Sequence, residues 1–188
     1  MPEESSDFEV RRQLLQMQML YEVGLALGES LDFTHVAEQV LHRAVVMVDA
    51  SAGLLALRPD DGVDEIVYEA GLGGEASVLL AVPEAEAAWR RSDITQVSPG
   101  AATKRHLCFV PLRCHEDVLG LLVVVDKESR TGVTEFTDSD CELLDAFALQ
   151  AGTALYNARL HRQLKAAFDE LRAAQEKIAQ LEQLRALG

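Results

Sequence analysis

The side chains with the strongest intrinsic chemistry in this chain are three cysteines and a handful of histidines. His106, Cys108 and Cys114 fall in one short stretch with His115 beside them, and on an alternating strand the first three share a face. Sulfur and imidazole ligands of this kind suit zinc or a haem iron. The spacing argues against a shared ion. Cys-x-x-x-x-x-Cys is not a usual zinc pattern, and residues at opposite ends of one strand lie too far apart to meet on one metal. Burial of these cysteines as small hydrophobes is the better reading, so no metal ligands are expected. Cys141, at the start of a predicted helix, would gain from the helix N-terminus, but Asp138, Asp140 and Glu142 oppose a thiolate there. His115-Glu116 has the form of a phosphoacceptor pair. It falls in a predicted hairpin turn, however, and His161 is followed by Arg162, so neither histidine is read as a phosphoacceptor and no catalytic residue is expected.

The remaining candidates sit in less regular sequence. Residues 72–103 contain two loop-like runs, GLGGEAS and VSPGAAT, around PEAEAAWRRSD, which reads as one short helix opening at Pro83 and carrying Trp89, Arg90 and Arg91. Irregular segments between regular ones are where ligand sites tend to lie. A lone Trp packing the short helix onto the rest of the fold is an equally good account of Trp89.

Length and composition bound what these residues can serve. With 188 residues, 48% of them hydrophobic, the chain holds one domain with a substantial core and one or two helical arms. A net charge of −14 disfavours a nucleic-acid partner, which needs clustered Lys and Arg. Residues 161–188 hold five basic and four acidic residues, so the acidity belongs to the part before them. An odd number of cysteines argues against a disulfide framework and for a reducing compartment, with the cytoplasm as the default. The opening MPEESSDFEV lacks the basic flank and apolar core of a secretory signal, and the aliphatic run Val118–Val125 is far short of the roughly 20 residues that span a bilayer. No membrane contact is expected.

The elements that must position the candidates follow from periodicity. Leu14, Met17, Tyr21 and Leu25 repeat at spacings of three and four, which predicts an amphipathic helix ended by Gly28. Ser30 and Asp32 are caps for a second helix with Phe33, Val36, Val40, Ala44 and Val48 on one face. AGLLALRP and VDEIVYEAG flank a tight turn and form a hairpin. RHLCFVPLR and VLGLLVVVD form another around Cys-His-Glu-Asp, and the second strand, apolar on both faces, should be central in its sheet. Thr137-Asp-Ser-Asp140 has the form of a capping box and opens a helix through Leu143, Leu144, Phe147, Ala151 and Leu155. No proline interrupts the chain after it.

In the tail, Leu160, Leu164, Ala167, Leu171, Ala174, Ile178 and Leu181 step by four and three in turn, the repeat of a coiled coil. A parallel dimer through Leu160, Leu164, Leu171, Ile178 and Leu181 is the expectation, and a helix folded back on its own domain is the alternative.

Taken together, this α+β order resembles the GAF family. Cys108-Phe-Val-Pro-Leu112 followed by Val118-Leu-Gly-Leu-Leu-Val-Val-Val125 is similar to the family's paired strands. Phe136-Thr-Asp-Ser-Asp140, Leu143-Leu-Asp-Ala-Phe-Ala148 and Tyr156-Asn-Ala-Arg-Leu160 resemble its closing helix, and Leu20-Tyr-Glu-Val-Gly24 with Ser30-Leu-Asp32 resembles its opening one. The resemblance implies a central antiparallel sheet of about six strands, with the opening and closing helices on one face and the irregular segment on the other. It divides the chain into an N-terminal amphipathic helix (1–28), a GAF-like sensory domain (29–157) and a C-terminal signalling helix or coiled coil (158–188).

The same resemblance carries expectations about function. Some GAF domains bind cyclic nucleotides through an Asn-Lys, Phe, Asp-Glu signature. Here the matching positions read Asp126-Lys127, Phe136 and Asp140-Cys141, so Asn and Glu are replaced, and Lys127 with Asp140 is expected to form an ion pair tying strand end to helix start. The cysteine neighbourhoods of bilin-carrying GAF domains and of the free methionine sulfoxide reductases are not recognisable. A small-molecule pocket between sheet and irregular segment would draw on Trp89, Arg90, His106, Cys108 and Val110, with no cofactor named. The tail from Gln175 resembles the helix that leads into sensor histidine kinases. The resemblance therefore implies a regulatory, homodimeric fragment, paired through both terminal helices and acting on a downstream kinase domain in the same chain. The alternatives are a ligand-free dimerisation scaffold, or the regulatory domain of a serine phosphatase or nucleotide cyclase.

Overall fold

A computed structural model describes residues 32–58, 65–100, 103–115, 117–129 and 132–186. The predicted helix over residues 1–28 lies outside the described residues. The first element, α1 (Phe33–Met47), is capped by Asp32, whose Oδ1 accepts the backbone N–H of His35 at 3.0 Å. Phe33, Val36, Ala37, Val40, Leu41 and Ala44 are buried along it, so the three-and-four spacing in the sequence does mark the core face.

Six strands follow in an antiparallel sheet: β1 (Ala50–Leu57), β2 (Glu65–Ala70), β3 (Thr95–Val97), β4 (Leu107–Cys114), β5 (Asp117–Ser129) and β6 (Gly132–Thr134). The order is β2-β1-β5-β4-β3, with β6 paired to one end of β5. The long strand β5 pairs with both β1 and β4, and Leu121–Val125 are fully buried, which is why the sequence there carries no polar alternation.

The sheet separates two apolar layers. Leu122 and Val124 of β5, Leu55 and Leu57 of β1, and Cys108, Val110 and Leu112 of β4 face the α1 side, where they meet Leu144, Phe147, Ala151 and Leu155 of the last helix. Leu121, Val123 and Val125 face the other way, with Leu107 and Phe109, under the segment between β2 and β3. That segment holds two helices rather than one. A five-residue α2 (Ala76–Leu80) buries Ala76 and Leu79 and precedes α3 (Pro83–Arg91), which buries Ala85, Ala88 and Trp89. The helix α2 has no side-chain cap, and β3 is three residues long, so neither left a periodic signature.

The last element, α4 (Asp138–Ala186), is one helix of 49 residues. Its start is the capping box read from the sequence: Asp140 N–H donates to Thr137 Oγ1 at 3.2 Å, and Thr137 N–H donates to Asp140 Oδ2 at 2.7 Å. Where α4 crosses β4 the contact is backbone to side-chain-free backbone, because a Cβ on Gly152 would stand 2.1 Å from the Arg113 carbonyl oxygen. After Ala158 no described side chain of α4 is buried, so among the described residues the tail does not fold back on the sheet and α1. Among the described residues no helix is long and apolar enough to cross a membrane.

Candidate functional site

The layer beneath α2 and α3 is where the irregular sequence pointed. Trp89 is 7% exposed, and the Arg58 guanidinium stacks over its ring at 4.4 Å. Glu86 holds that guanidinium, with Oε2 2.9 Å from Arg58 Nη2, and its other oxygen accepts from Arg90 Nε at 3.0 Å. The Arg90 side chain is otherwise largely exposed. Around Trp89, the side chains of Ala52, Leu54, Leu79, Phe109, Leu121 and Val123 are buried and fill the space between helices and sheet. The indole Nε1 is buried without a hydrogen-bond partner.

The five candidate ligand residues do not converge. Trp89 is on this side, whereas Cys108 and Val110 face α1 and α4 across the sheet, both fully buried. The reason is the period of two along β4: Leu107 and Phe109 are the residues that reach the Trp89 layer. His106, just ahead of β4, engages through its backbone. Its N–H donates to Asp126 Oδ1 at 2.8 Å, and its carbonyl accepts from Asp126 N–H at 2.8 Å. Asp126 takes this role with φ +49°, a conformation that Asp tolerates better than most residues, and its carboxylate also binds Arg105 at 2.8 Å. Arg105 reaches on to Glu75 at 3.0 Å, tying the loop before β4 to the start of α2. Cys114 lies at the far end of β4 against His115, Sγ 3.2 Å from Nδ1. Among the described residues no group of three His, Cys, Asp or Glu side chains could hold a metal.

Polar chemistry concentrates instead where the sheet meets the start of α4. Lys127 Nζ lies 2.6 Å from Asp140 Oδ2 and 2.7 Å from Oδ1, joining the end of β5 to the first turn of the helix. Burial alone would push the Asp140 carboxyl up. Lys127, with the Thr137 N–H and hydroxyl, outweighs that and holds it below its ordinary value. Lys127 and Asp140 are thus engaged with each other, and Asp126 with Arg105 and His106, at the positions that match a nucleotide signature. One turn on, Cys141 Sγ lies 3.9 Å from Cys108 Sγ and 2.8 Å from Gln96 Nε2 of β3. Farther along, Arg113 bridges β4 to Asp145 of α4 and to the Ser92 carbonyl that ends α3. Sequence reasoning missed the Cys108–Cys141 approach, because 33 residues separate them and each was weighed alone. The available signal was the face alternation of β4, which aims Cys108 at whatever helix covers that side.

The third feature is the free part of α4. Leu164, Phe168, Leu171, Ile178 and Leu181 are each more than half exposed, and Leu160 is 44% exposed. Phe168 widens the stripe that the heptad pattern marked. At the base of this helix a cleft of about 360 Å³ lies between Asp32, Phe33 and Thr34 of the α1 start and His161, Arg162 and Lys165, with the Arg162 guanidinium over the Phe33 ring at 4.4 Å.

A sequence-family model for the GAF domain matches residues 32–157. Among solved structures, the GAF domain of a putative sensor histidine kinase from Pseudomonas syringae pv. tomato is similar at 21% identity and a TM-score of 0.65, over 86% of this chain and 99% of that one. The second GAF domain of DevS from Mycobacterium smegmatis is similar at 27% identity and a TM-score of 0.56, over 71% and 99%. The GAF domain of an Acinetobacter phosphoenolpyruvate-protein phosphotransferase shares the fold at 15% identity and a TM-score of 0.62, over 78% and 95%.

Proposed function

The chain belongs to the GAF domain family, and from that premise we propose that it is the regulatory domain of a cytoplasmic signalling protein, dimeric through its terminal helices, which passes a change along α4 to a histidine kinase domain that follows in the same protein. The observation that carries this reading is the continuity of α4. One uninterrupted helix runs from the core contacts of Leu144, Phe147 and Leu155 to an apolar stripe whose side chains are exposed. The 26 residues past Leu160 extend roughly 40 Å at 1.5 Å per residue. An isolated helix with so many exposed Leu, Ile and Phe side chains is marginal in water and is completed by a second copy in the coiled-coil manner. The kinase assignment is supported by the tail's resemblance to kinase-linked helices and by the fold shared with a putative sensor histidine kinase.

The test is sedimentation of the wild-type chain against Leu164→Glu combined with Leu171→Glu. The expected result is a wild-type dimer and a monomeric variant with unchanged Trp89 fluorescence. A wild-type chain that stays monomeric across working concentrations overturns the dimer.

One observation favours a scaffold that holds no ligand over a small-molecule sensor: the layer around Trp89 is filled by the protein's own side chains. Native mass spectrometry separates the two readings. A bare dimer supports the scaffold, and a dimer with retained extra mass supports the sensor.

A further inference from the structure

Cys108 and Cys141 are the described pair of nucleophilic side chains whose approach no part of the transmitter reading uses. Cys108 is fully buried on β4, Cys141 is part-exposed on the first turn of α4, and their sulfurs stand 3.9 Å apart. Nothing polar intervenes on the Cys108 side, where the neighbours are the apolar residues packed between sheet and helices. On the Cys141 side, Gln96 Nε2 donates to the sulfur at 2.8 Å. The neighbouring carboxylate of Asp140 is engaged by Lys127 at 2.6 Å, which weakens its opposition to a thiolate. A helix N-terminus favours negative charge as well.

We propose that Cys141 and Cys108 form a peroxide-reactive dithiol, with Cys141 as the sulfur that is attacked by oxidant and Cys108 as the sulfur that resolves it into a disulfide between α4 and β4. The two sulfurs differ in the way the roles need. The hydrogen bond shared with Cys108 lowers the Cys141 pKa, burial opposes this, and Gln96 lowers it further, while Asp140 and Asp138 push it up; the net direction is down. The same hydrogen bond, then burial, pushes the Cys108 thiol up.

In the first step the Cys141 thiolate attacks one oxygen of hydrogen peroxide. An S–O bond forms, the O–O bond breaks, and hydroxide leaves. In the second step Cys108 sulfur attacks the sulfenic sulfur of Cys141. The S–S bond forms, the S–O bond breaks, and the departing hydroxide and the Cys108 proton leave as water. Two thiols lose two electrons and two protons, and one peroxide becomes two waters. Closing the sulfurs to about 2.05 Å needs thiol rotation and a small approach of the first turn of α4 to β4. Cys114, six residues along the same strand and buried against His115, is out of reach of both.

The experiment treats the reduced full chain with stoichiometric hydrogen peroxide, alkylates the remaining thiols and maps the peptides. The expected result is a Cys108–Cys141 linked peptide, an intact mass lower by two hydrogens, and alkylated Cys114. Cys114→Ser gives the same link. Cys108→Ser leaves Cys141 as a sulfenic acid that dimedone traps, and Cys141→Ser leaves Cys108 reduced. A wild-type chain whose Cys141 stays alkylatable after peroxide, goes on to sulfinic acid, or joins Cys114 or a second copy overturns the proposal without needing any variant to fold. The link is read within one chain, so it stands or falls independently of whether the chain dimerises.

Discussion

Gly152→Ala is the substitution on which the positioning of α4 turns, because two effects of opposite sign compete there. Alanine in a helix interior is favoured over glycine by about 1 kcal/mol, so propensity alone predicts a more stable protein. The structure predicts the reverse. The new Cβ would lie 2.1 Å from the Arg113 carbonyl oxygen, 2.8 Å from its carbon and 3.0 Å from its backbone nitrogen. Non-bonded carbon contacts settle at about 3.5 Å, so α4 must back away from β4 by about 1 Å or more. All three atoms are backbone of a paired strand, and none can rotate aside. Backing away loosens Phe147, Ala148, Ala151 and Leu155 on the same face. Overpacking of this kind costs about 1–3 kcal/mol, and loosened contacts add to it, so the net expected loss after the propensity gain is about 2 kcal/mol. For a chain of this length that lowers Tm by about 4–8 °C. Urea unfolding followed by Trp89, the single tryptophan, reads the change. Thr153→Ala, one residue on and exposed, is the control and should be neutral or slightly stabilising. A Gly152→Ala chain at least as stable as wild type refutes the close crossing.

The Lys127–Asp140 pair, with side chains 20% and 13% exposed, lies between surface and buried ion pairs. Lys127→Met should therefore cost about 1–3 kcal/mol in a urea titration, and a change below a few tenths would show the pair to be idle. Asp140 titrates below its ordinary value when folded, so its contribution is present above about pH 4 and is lost as pH falls through the lowered folded pKa. The stability gap between wild type and Asp140→Asn should accordingly shrink on acidification; a gap that widens contradicts the sign. Oxidation closes a covalent loop across 33 residues, which in the chain-entropy account stabilises by about 3–4 kcal/mol. Peroxide-treated protein should unfold at higher urea, revert with reductant, and show no gain in Cys108→Ser or Cys141→Ser.

Much of the architecture was legible because burial writes itself into periodicity. The Phe33-Val36-Val40-Ala44 face of α1, the unbroken apolar run of β5 and the capping box at Thr137 each stand where the pattern placed them. The family phrases then fell on that same order of elements. The candidate site was legible only in part. Lys127 and Asp140 meet, but Trp89 and Cys108 belong to opposite faces of one sheet, and the side of a strand that a residue takes follows from the register of its neighbours. The short α2 and β3 carry too few residues for a period to show. Arg105 and Arg113 carry no sequence signal of their own, since only the tertiary fold brings Asp126, Glu75 and Asp145 to them.

The geometry of α4 also bears on how a local change at its start could reach its end. A disulfide stabilises two arrangements of the helix equally unless its closure fits one of them better, and only that difference shifts a population. Here the difference has a direction, because the sulfurs must approach from 3.9 Å while Gly152 holds the helix against the Arg113 backbone. If α4 turns about Gly152, the two arms are unequal. Cys141 lies 11 residues before it, about 16 Å along the axis, and Leu181 lies 29 residues beyond, about 43 Å. For a stiff helix a shift of about 1 Å at Cys141 becomes roughly 2.6 Å at Leu181 in the opposite sense, comparable with the helix displacements of known switches. The crossing itself requires glycine, because any Cβ at this position meets the Arg113 backbone. A side chain at position 152 would hold α4 away from β4, whereas backbone contact keeps the two elements close.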